Sequence, residues 1–254
     1  MKDLQDKLAV VTGGNAGIGL EIARELISRG ARVVITGRRQ EALDAAAREL
    51  GDRLHPVRSD AARIADIEAL VETVREKLGQ VDILVVNAGI ARQEPVGALT
   101  EPIFDDLVDI NFKGAVFTTE KFIPLLAEGA AVIHLTSVSA YTVARGTSIY
   151  AATKAALTAY SKAAAIELAD RRIRVNTVAP ALTETDIIYQ GAFADEKLHT
   201  YLRGMMPFKR YGKVEEVAKL VGFLVSDDAA FISGAEYTID GAASVNEPMR
   251  ALAG

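Results

Sequence analysis

The sequence predicts an α/β protein, a doubly wound (Rossmann) seven-stranded parallel sheet with helices on both faces, built as one domain over residues 1–254. Three observations carry that expectation. Short β-branched runs alternate with longer amphipathic stretches, and such alternation builds a parallel sheet through right-handed crossovers. Most of the strand runs are apolar throughout, as strands covered on both faces must be. No linker, low-complexity stretch or repeat divides the chain.

The strands are expected at "LAVVTG" (8–13), "RVVITG" (32–37), "LHPVRSD" (54–60), "VDILVVNAG" (81–89), "AVIHLTS" (131–137), "IRVNTVAP" (173–180) and "EYTID" (236–240). Between them, apolar residues recur at helical spacing in "GLEIARELISRG" (19–30), "QEALDAAARELG" (40–51), "ADIEALVETVREKLG" (65–79), "IFDDLVDINFKGAVFTTEKFIPLLAEG" (103–129) and "SIYAATKAALTAYSKAAAIELAD" (148–170). Gly30, Gly51, Gly79 and Gly129 read as the stops of four helices, where a left-handed residue is needed. Residues 182–212 are the least regular, with aromatic and Met residues crowding a polar stretch, and read as a substrate lid.

Composition narrows the function. Half of the residues are hydrophobic and a quarter charged, with a net charge of −5, which suits a soluble domain with a sizeable core. Lys and Arg are scattered among acids, so no nucleic-acid partner is expected. The charged start lacks a secretion signal, and no apolar run is long enough for a membrane span, so the expected compartment is cytoplasmic. Cysteine is absent, excluding disulfides and thiolate chemistry, and His55, His134 and His199 lack ligand spacing; no metal is expected.

"VVTGGNAGIG" joins the first strand to the first helix, with Gly13, Gly17 and Gly19 as its glycines. Such glycines let backbone turn tightly against a pyrophosphate, while the helix start offers unpaired N–H groups. A triphosphate loop would need Lys after the last glycine, where Leu20 stands. At the end of the second strand, Gly37 occupies the place of the carboxylate that NAD enzymes use on the ribose, and Arg38 and Arg39 follow. A guanidinium matches a phosphate bidentately, which favours NADP(H) over NAD(H); a solvated basic turn is the bland alternative. Asp60, ending the third strand, suits an adenine amino group or a helix N-cap.

The segment "TSVSAYTVARGTSIYAATKAAL" (136–157) carries the chemistry. Tyr150 and Lys154 fall on one helix face at i and i+4. An unperturbed phenol, with a pKa near 10, is too weak an acid for neutral pH, and an adjacent ammonium is expected to lower it. Ser137, at the end of the fifth strand, could hold the same substrate oxygen.

Together "TGGNAGIG", Asp60, "NAG" (87–89), Asn111 in "DINFKG", Ser137, "YAATK", "RVNTVAP" and "IDG" (239–241) resemble the short-chain dehydrogenase/reductases, over nearly the whole chain. The resemblance implies Tyr150 as acid/base, Ser137 polarising the substrate oxygen, and Lys154 on the nicotinamide ribose while depressing the tyrosine pKa. It implies that Asn111 holds a water linking the lysine to solvent. Cofactor contacts would come from Gly13, Asn15, Gly17, Ile18, Gly19, Arg38, Arg39, Asp60, Ala61, Asn87, Ala88, Gly89, Tyr150, Lys154, Pro180, Thr183 and Thr185. Three positions depart from the family pattern: Val86 before Asn87, Ala181 after Pro180, and Thr183 where an aliphatic is usual. None removes a group the mechanism needs.

The expected activity is NADP(H)-dependent interconversion of a ketone or aldehyde with an alcohol. Reduction of a C=N or activated C=C bond, or a non-catalytic dinucleotide sensor, are the alternatives. Pocket candidates are Ser139, Tyr141 and Val143, then Tyr189, Phe193, Tyr201, Met205 and Met206, whose character suggests a hydrophobic substrate. Surplus apolar surface on the helices near 100–128 and 148–169 suggests a homotetramer.

Overall fold

Seven strands form where the apolar runs predict them: β1 (Leu8–Val11), β2 (Arg32–Gly37), β3 (Leu54–Arg58), β4 (Val81–Val86), β5 (Leu126–Leu135), β6 (Arg174–Pro180) and β7 (Glu236–Ile239). The computed structural model describes residues 3–185, 188 and 195–245. All neighbouring strands pair in parallel, in the order β3-β2-β1-β4-β5-β6-β7. The chain therefore starts in the middle of the sheet, winds outward to β3, then crosses back past β1 to β4. Loops leaving the C-terminal ends of β1 and β4 diverge there and leave a crevice, the usual ligand site of an open α/β sheet.

Alternate residues of the strands feed two cores. Val11, Val33, Ile35 and Val85 pack against α1 (Gly17–Ser28), α2 (Gln40–Leu50) and α8 (Val214–Val225) through Ile22, Leu26, Leu43, Val217 and Val221. Val10, Val34, Leu84 and Val132 face α3 (Ile64–Lys77), α5 (Ala115–Phe122) and α6 (Ser148–Glu167) through Leu70, Val74, Phe122 and Leu157. Each fully buried aliphatic contributes about 1.5–3 kcal/mol relative to exposure. This two-sided burial is why the central strands β1 and β4 carry continuous apolar runs, at 8–11 and 83–86, while the edge strands β3 and β7 are only partly buried.

The structure corrects the long helix expected at 103–129. It breaks into α4 (Glu101–Val108), a π-helical turn (Asp109–Gly114) and α5, then a short 3₁₀ turn holding Pro124. Proline lacks the N–H to continue the ladder, and β5 has begun by Leu126. Gly129 is thus no helix stop: Val81 pairs with Leu126 and Ile83 with Ala131, so β5 bulges between them, and Gly129 takes a φ of 77° within the bulge. The irregular 182–212 stretch contains a further helix, α7 (Glu196–Met205). The two ends of that stretch are tied together, Gly212 N–H donating to Leu182 O (3.0 Å) and Glu184 N–H to Gly212 O (2.8 Å). His134 lies in β5, His55 in β3 and His199 on α7, and no group of three His, Cys, Asp or Glu among the described residues could hold a metal. Among those residues, no helix is long and apolar enough to cross a membrane.

Candidate active site

The glycine loop leaves β1 with Gly13 at φ 63° and Gly17 at φ 53°, left-handed values that glycine adopts without strain. A Cβ on Gly19 would overlap both the Gly13 carbonyl oxygen and the Asn87 amide, so α1 reaches the loop only because no side chain stands there. Asn87 braces the loop, its Nδ2 donating to Thr12 O (2.9 Å) and Gly13 O (3.1 Å). Thr12 Oγ1 in turn accepts from the backbone N–H groups of Asn87 (3.0 Å) and Ala88 (3.1 Å). Sequence reasoning misses Thr12; its only signal there is its place at the strand-to-loop junction. The first turn of α1 has neither a capping side chain nor an acidic residue, so its N–H groups suit an anion. Ile18 anchors this turn on the first core.

At the neighbouring strand end, Asn15 lies over Gly37, where a Cβ would meet its Oδ1 at 2.5 Å. Arg38 and Arg39 are exposed, Arg39 at the N-cap of α2, and neither has an acidic partner among the described residues. The helix-cap alternative for Asp60 is corrected: α3 starts at Ile64 with Arg63 at its N-cap, while Asp60 Oδ1 accepts from Ala62 N–H (3.1 Å) within the preceding turn. Ala61 shares that turn. Loop glycines, an open helix start and unpaired arginines together fit a phosphorylated dinucleotide.

Across the crevice the four residues of the predicted tetrad converge. Ser137 follows β5, is buried, and its Oγ accepts from Ser139 N–H (3.1 Å). Ser137 acts on the phenol of Tyr150, in the first turn of α6, holding its pKa down against burial. One turn on, the buried Lys154 donates from Nζ to Leu135 O (2.9 Å), with the ammonium 5.8 Å from the Tyr150 ring centroid. Asn111 is fully buried in the π turn, its Oδ1 accepting from Ile90 N–H (2.8 Å) and its Nδ2 donating to Ile90 O (2.9 Å). π turns recur at functional sites because they re-aim a helical side chain. Asn111 Oδ1 and Lys154 Nζ flank Gly89, where an added Cβ would meet them at 3.2 and 3.4 Å. Thr153, which sequence reasoning also misses, donates to Tyr150 O (2.7 Å) and lies 3.5 Å from Asn111 Nδ2.

One electrostatic expectation is reversed. Burial pushes the Tyr150 phenol above its ordinary value, with the Ser137 hydrogen bond pulling the other way. The ammonium, bonded to the Leu135 carbonyl and 5.8 Å from the ring centroid, does not override this. Lys154 itself is pulled down to about 8 by its burial.

Over the crevice, Thr183 pairs with Gly212 beyond Pro180, and Thr185 approaches Gly17, its Cγ2 lying 3.3 Å from where a Cβ would stand. Ser139 lies beside Ser137, whereas Tyr141 commits its hydroxyl to Thr238 Oγ1 on β7 (2.6 Å). Val143 is exposed, as are Tyr201 and Met205 on α7, and Met206 is buried. Tyr189 and Phe193 lie outside the described residues.

Fold and crevice define a doubly wound parallel sheet with a serine, a tyrosine and a lysine gathered at the C-terminal ends of its strands. Comparison with known proteins agrees with the fold. A family model described as enoyl-(acyl carrier protein) reductase matches residues 13–243. The oxidoreductase asL5 of Sarocladium schorii is 37% identical over 240 residues, covering 94% of this chain and 96% of that protein. The NADP-dependent (R)-specific alcohol dehydrogenase of Lentilactobacillus kefiri is 34% identical, over 94% and 96% of the two chains. A short-chain dehydrogenase from Burkholderia cenocepacia, solved in complex with NADP, superposes with a TM-score of 0.88 at 36% identity, over 95% and 99% of the chains. The chain belongs to the short-chain dehydrogenase/reductase family of oxidoreductases.

Proposed function

We propose that this chain is an NADP(H)-dependent oxidoreductase interconverting a ketone or aldehyde with an alcohol. The observation that carries the reading is the gathering of Ser137, at the end of β5, with Tyr150 and the buried Lys154 of α6, whose ammonium lies 5.8 Å from the Tyr150 ring centroid and bonds the Leu135 carbonyl. When bound, a reduced nicotinamide supplies hydride to the carbonyl carbon. The chain supplies the rest. Ser137 holds the carbonyl oxygen, and Tyr150, kept protonated by its burial, gives that oxygen its proton as it gains charge. Lys154 stabilises the phenolate left behind, and a water held at Asn111 returns the proton. The lid includes α7, and the substrate is hydrophobic, closed over by Tyr201, Met205 and Met206.

The test is to follow NADPH absorbance with a panel of ketones, one imine and one enone. Turnover of ketones supports the reading, turnover of the enone alone moves the activity to C=C reduction, and NADPH binding with no turnover leaves only a sensor.

Two further outcomes follow. Because Arg38 and Arg39 have no acidic partner among the described residues, Arg38→Ala is expected to weaken NADPH binding roughly 10–100-fold, the worth of a charge-assisted phosphate contact of about 1.5–3 kcal/mol. NADH affinity should be unchanged; fluorescence titration with each cofactor decides it. The ammonium form of Lys154 is present below its pKa of about 8 and lost above it. The free enzyme's kcat/KM for reduction should therefore be flat from pH 6 to about 7.5 and fall tenfold per pH unit at higher pH, in a profile recorded to pH 10.

Assembly as a homotetramer is part of the proposal. Phe104 on α4, Phe117 on α5 and Ile166 on α6 are exposed, Ile166 by 78%, on helices of one sheet face. Mass measurement in solution tests it, and a monomer refutes it.

A further inference from the structure

His134 sits on the α5/α6 side of β5, three residues before Ser137, and the next residue's carbonyl is the one that holds Lys154 Nζ. It is fully buried. Both ring nitrogens are engaged by neighbouring helices: Nε2 lies 2.8 Å from Thr119 Oγ1 on α5, and Nδ1 lies 2.8 Å from Ser161 Oγ on α6. Each hydroxyl also has a backbone acceptor in its own helix, Ser161 Oγ at 2.7 Å from Leu157 O and Thr119 Oγ1 at 3.1 Å from Ala115 O; the shorter of these keeps the Ser161 proton, which places the ring proton on Nδ1. Nε2 is then the acceptor for Thr119. Burial, helped by the charge of Lys154, brings the ring's pKa down to about 3, so the imidazole is neutral. Tyr160 of α6 packs edge-on at 5.9 Å.

Neither hydroxyl needs the histidine. Thr119 Oγ1 also reaches Ala115 O (3.1 Å) and Ser161 reaches Leu157 O, each within its own helix. A leucine of similar volume would fill the space. What the imidazole adds is a cross-tie between α5 and α6 through β5. Those are the elements that carry the tetrad: Asn111 lies in the π turn that runs into α5, Ser137 follows β5, and Tyr150 and Lys154 are on α6.

We infer that His134 is a positioning residue, whose two hydrogen bonds set α5 and α6 against β5 and so hold Lys154 at the Leu135 carbonyl beside Tyr150 and Asn111. The inference rests on the site proposed above. It acts through geometry, and a shift of about 1 Å at such a site costs up to a hundredfold in rate.

The first measurement is independent of activity. Imidazole ¹⁵N resonances of the full chain should show one histidine fixed as the neutral Nδ1–H tautomer at pH 5, and titration of all three rings above that pH overturns the inference. His134→Leu is then expected to lower kcat about tenfold while the KM for NADPH changes less than about threefold. The titratable groups facing Lys154 are Tyr150 on its own helix and His134 on β5. The alkaline loss of NADPH affinity, read by fluorescence, should therefore begin near pH 8 in the wild type and move upward in His134→Leu as the loosened lysine regains solvent. His134→Asn, whose amide reaches Ser161, should recover part of kcat, and Ser161→Ala added to it should abolish the recovery. A folded His134→Leu with wild-type kcat and an unmoved alkaline limb overturns the inference. Should that chain not fold, Thr119→Val and Ser161→Ala decide it: lowered kcat and a raised limb in both support the tie, and wild-type behaviour in both overturns it. If the wild type reduces no carbonyl, the functional reading fails, while the resonances and the NADPH titration still judge His134.

Discussion

Tyr150→Phe is expected to lower kcat/KM for ketone reduction about a thousandfold, with NADPH affinity changed less than about twofold. The substitution removes one oxygen and keeps the ring. No backbone bond is lost, since Thr153 Oγ1 donates to the Tyr150 carbonyl, which Phe retains. The loss therefore falls on proton transfer. Ser137 remains as a donor to the carbonyl oxygen, but its hydroxyl is far too weak an acid to complete the reduction at neutral pH. Because the phenol is held above its ordinary value by burial, wild-type reduction should show no alkaline limb from this group between pH 6 and 8. Stopped-flow single turnovers with NADPH and an active ketone separate the chemical step from binding. Equal single-turnover rates in the two proteins would remove the tyrosine from the reaction.

Much of this site is legible in the amino-acid sequence, because its parts are local along the chain. The glycine loop is one contiguous strand–turn–helix junction, and Tyr150 and Lys154 need only helical spacing to share a face. Gly37 followed by two arginines is a local cue as well. What the sequence conceals depends on contacts between distant segments. The sign of the Tyr150 shift follows from how the crevice walls bury the hydroxyl, and that is not encoded in a four-residue spacing. The π turn looks like uninterrupted helix, since apolar residues recur through it at helical intervals. His134 reads as one more residue of a buried strand until Thr119 and Ser161 are seen on either side of it. Gly129 reads as a helix stop because a left-handed glycine serves a bulge equally well. The 182–212 stretch hides α7 because the helix is short and sits in an irregular stretch, although Leu198, Tyr201, Leu202 and Met205 fall at helical spacing within it.

Gly114 shows how a single hydrogen atom sustains that hidden geometry. It closes the π turn that carries Asn111, and a Cβ there would be driven into the Ala61 carbonyl oxygen, with the Ala61 carbon and Asp109 O each 2.9 Å away. The obstacles are backbone atoms on both sides, so no rotamer change relieves the clash. Either the turn or the segment holding Asp60 and Ala61 must move. Gly114→Ala is accordingly expected to destabilise the fold by roughly 1–3 kcal/mol, the ordinary cost of overpacking, despite alanine's higher helix propensity. The displaced turn would pull Asn111 from Ile90 and crowd the predicted adenine contact at once. Activity should fall about a hundredfold, and NADPH affinity should drop with it, unlike in Tyr150→Phe. Thermal denaturation with and without NADPH reads both effects: the melting temperature should fall by several degrees, and the cofactor-induced rise should shrink. If Gly114→Ala melts like the wild type and gains the same protection from NADPH, the turn has room that the structure denies, and the close approach that sets Asn111 is not needed.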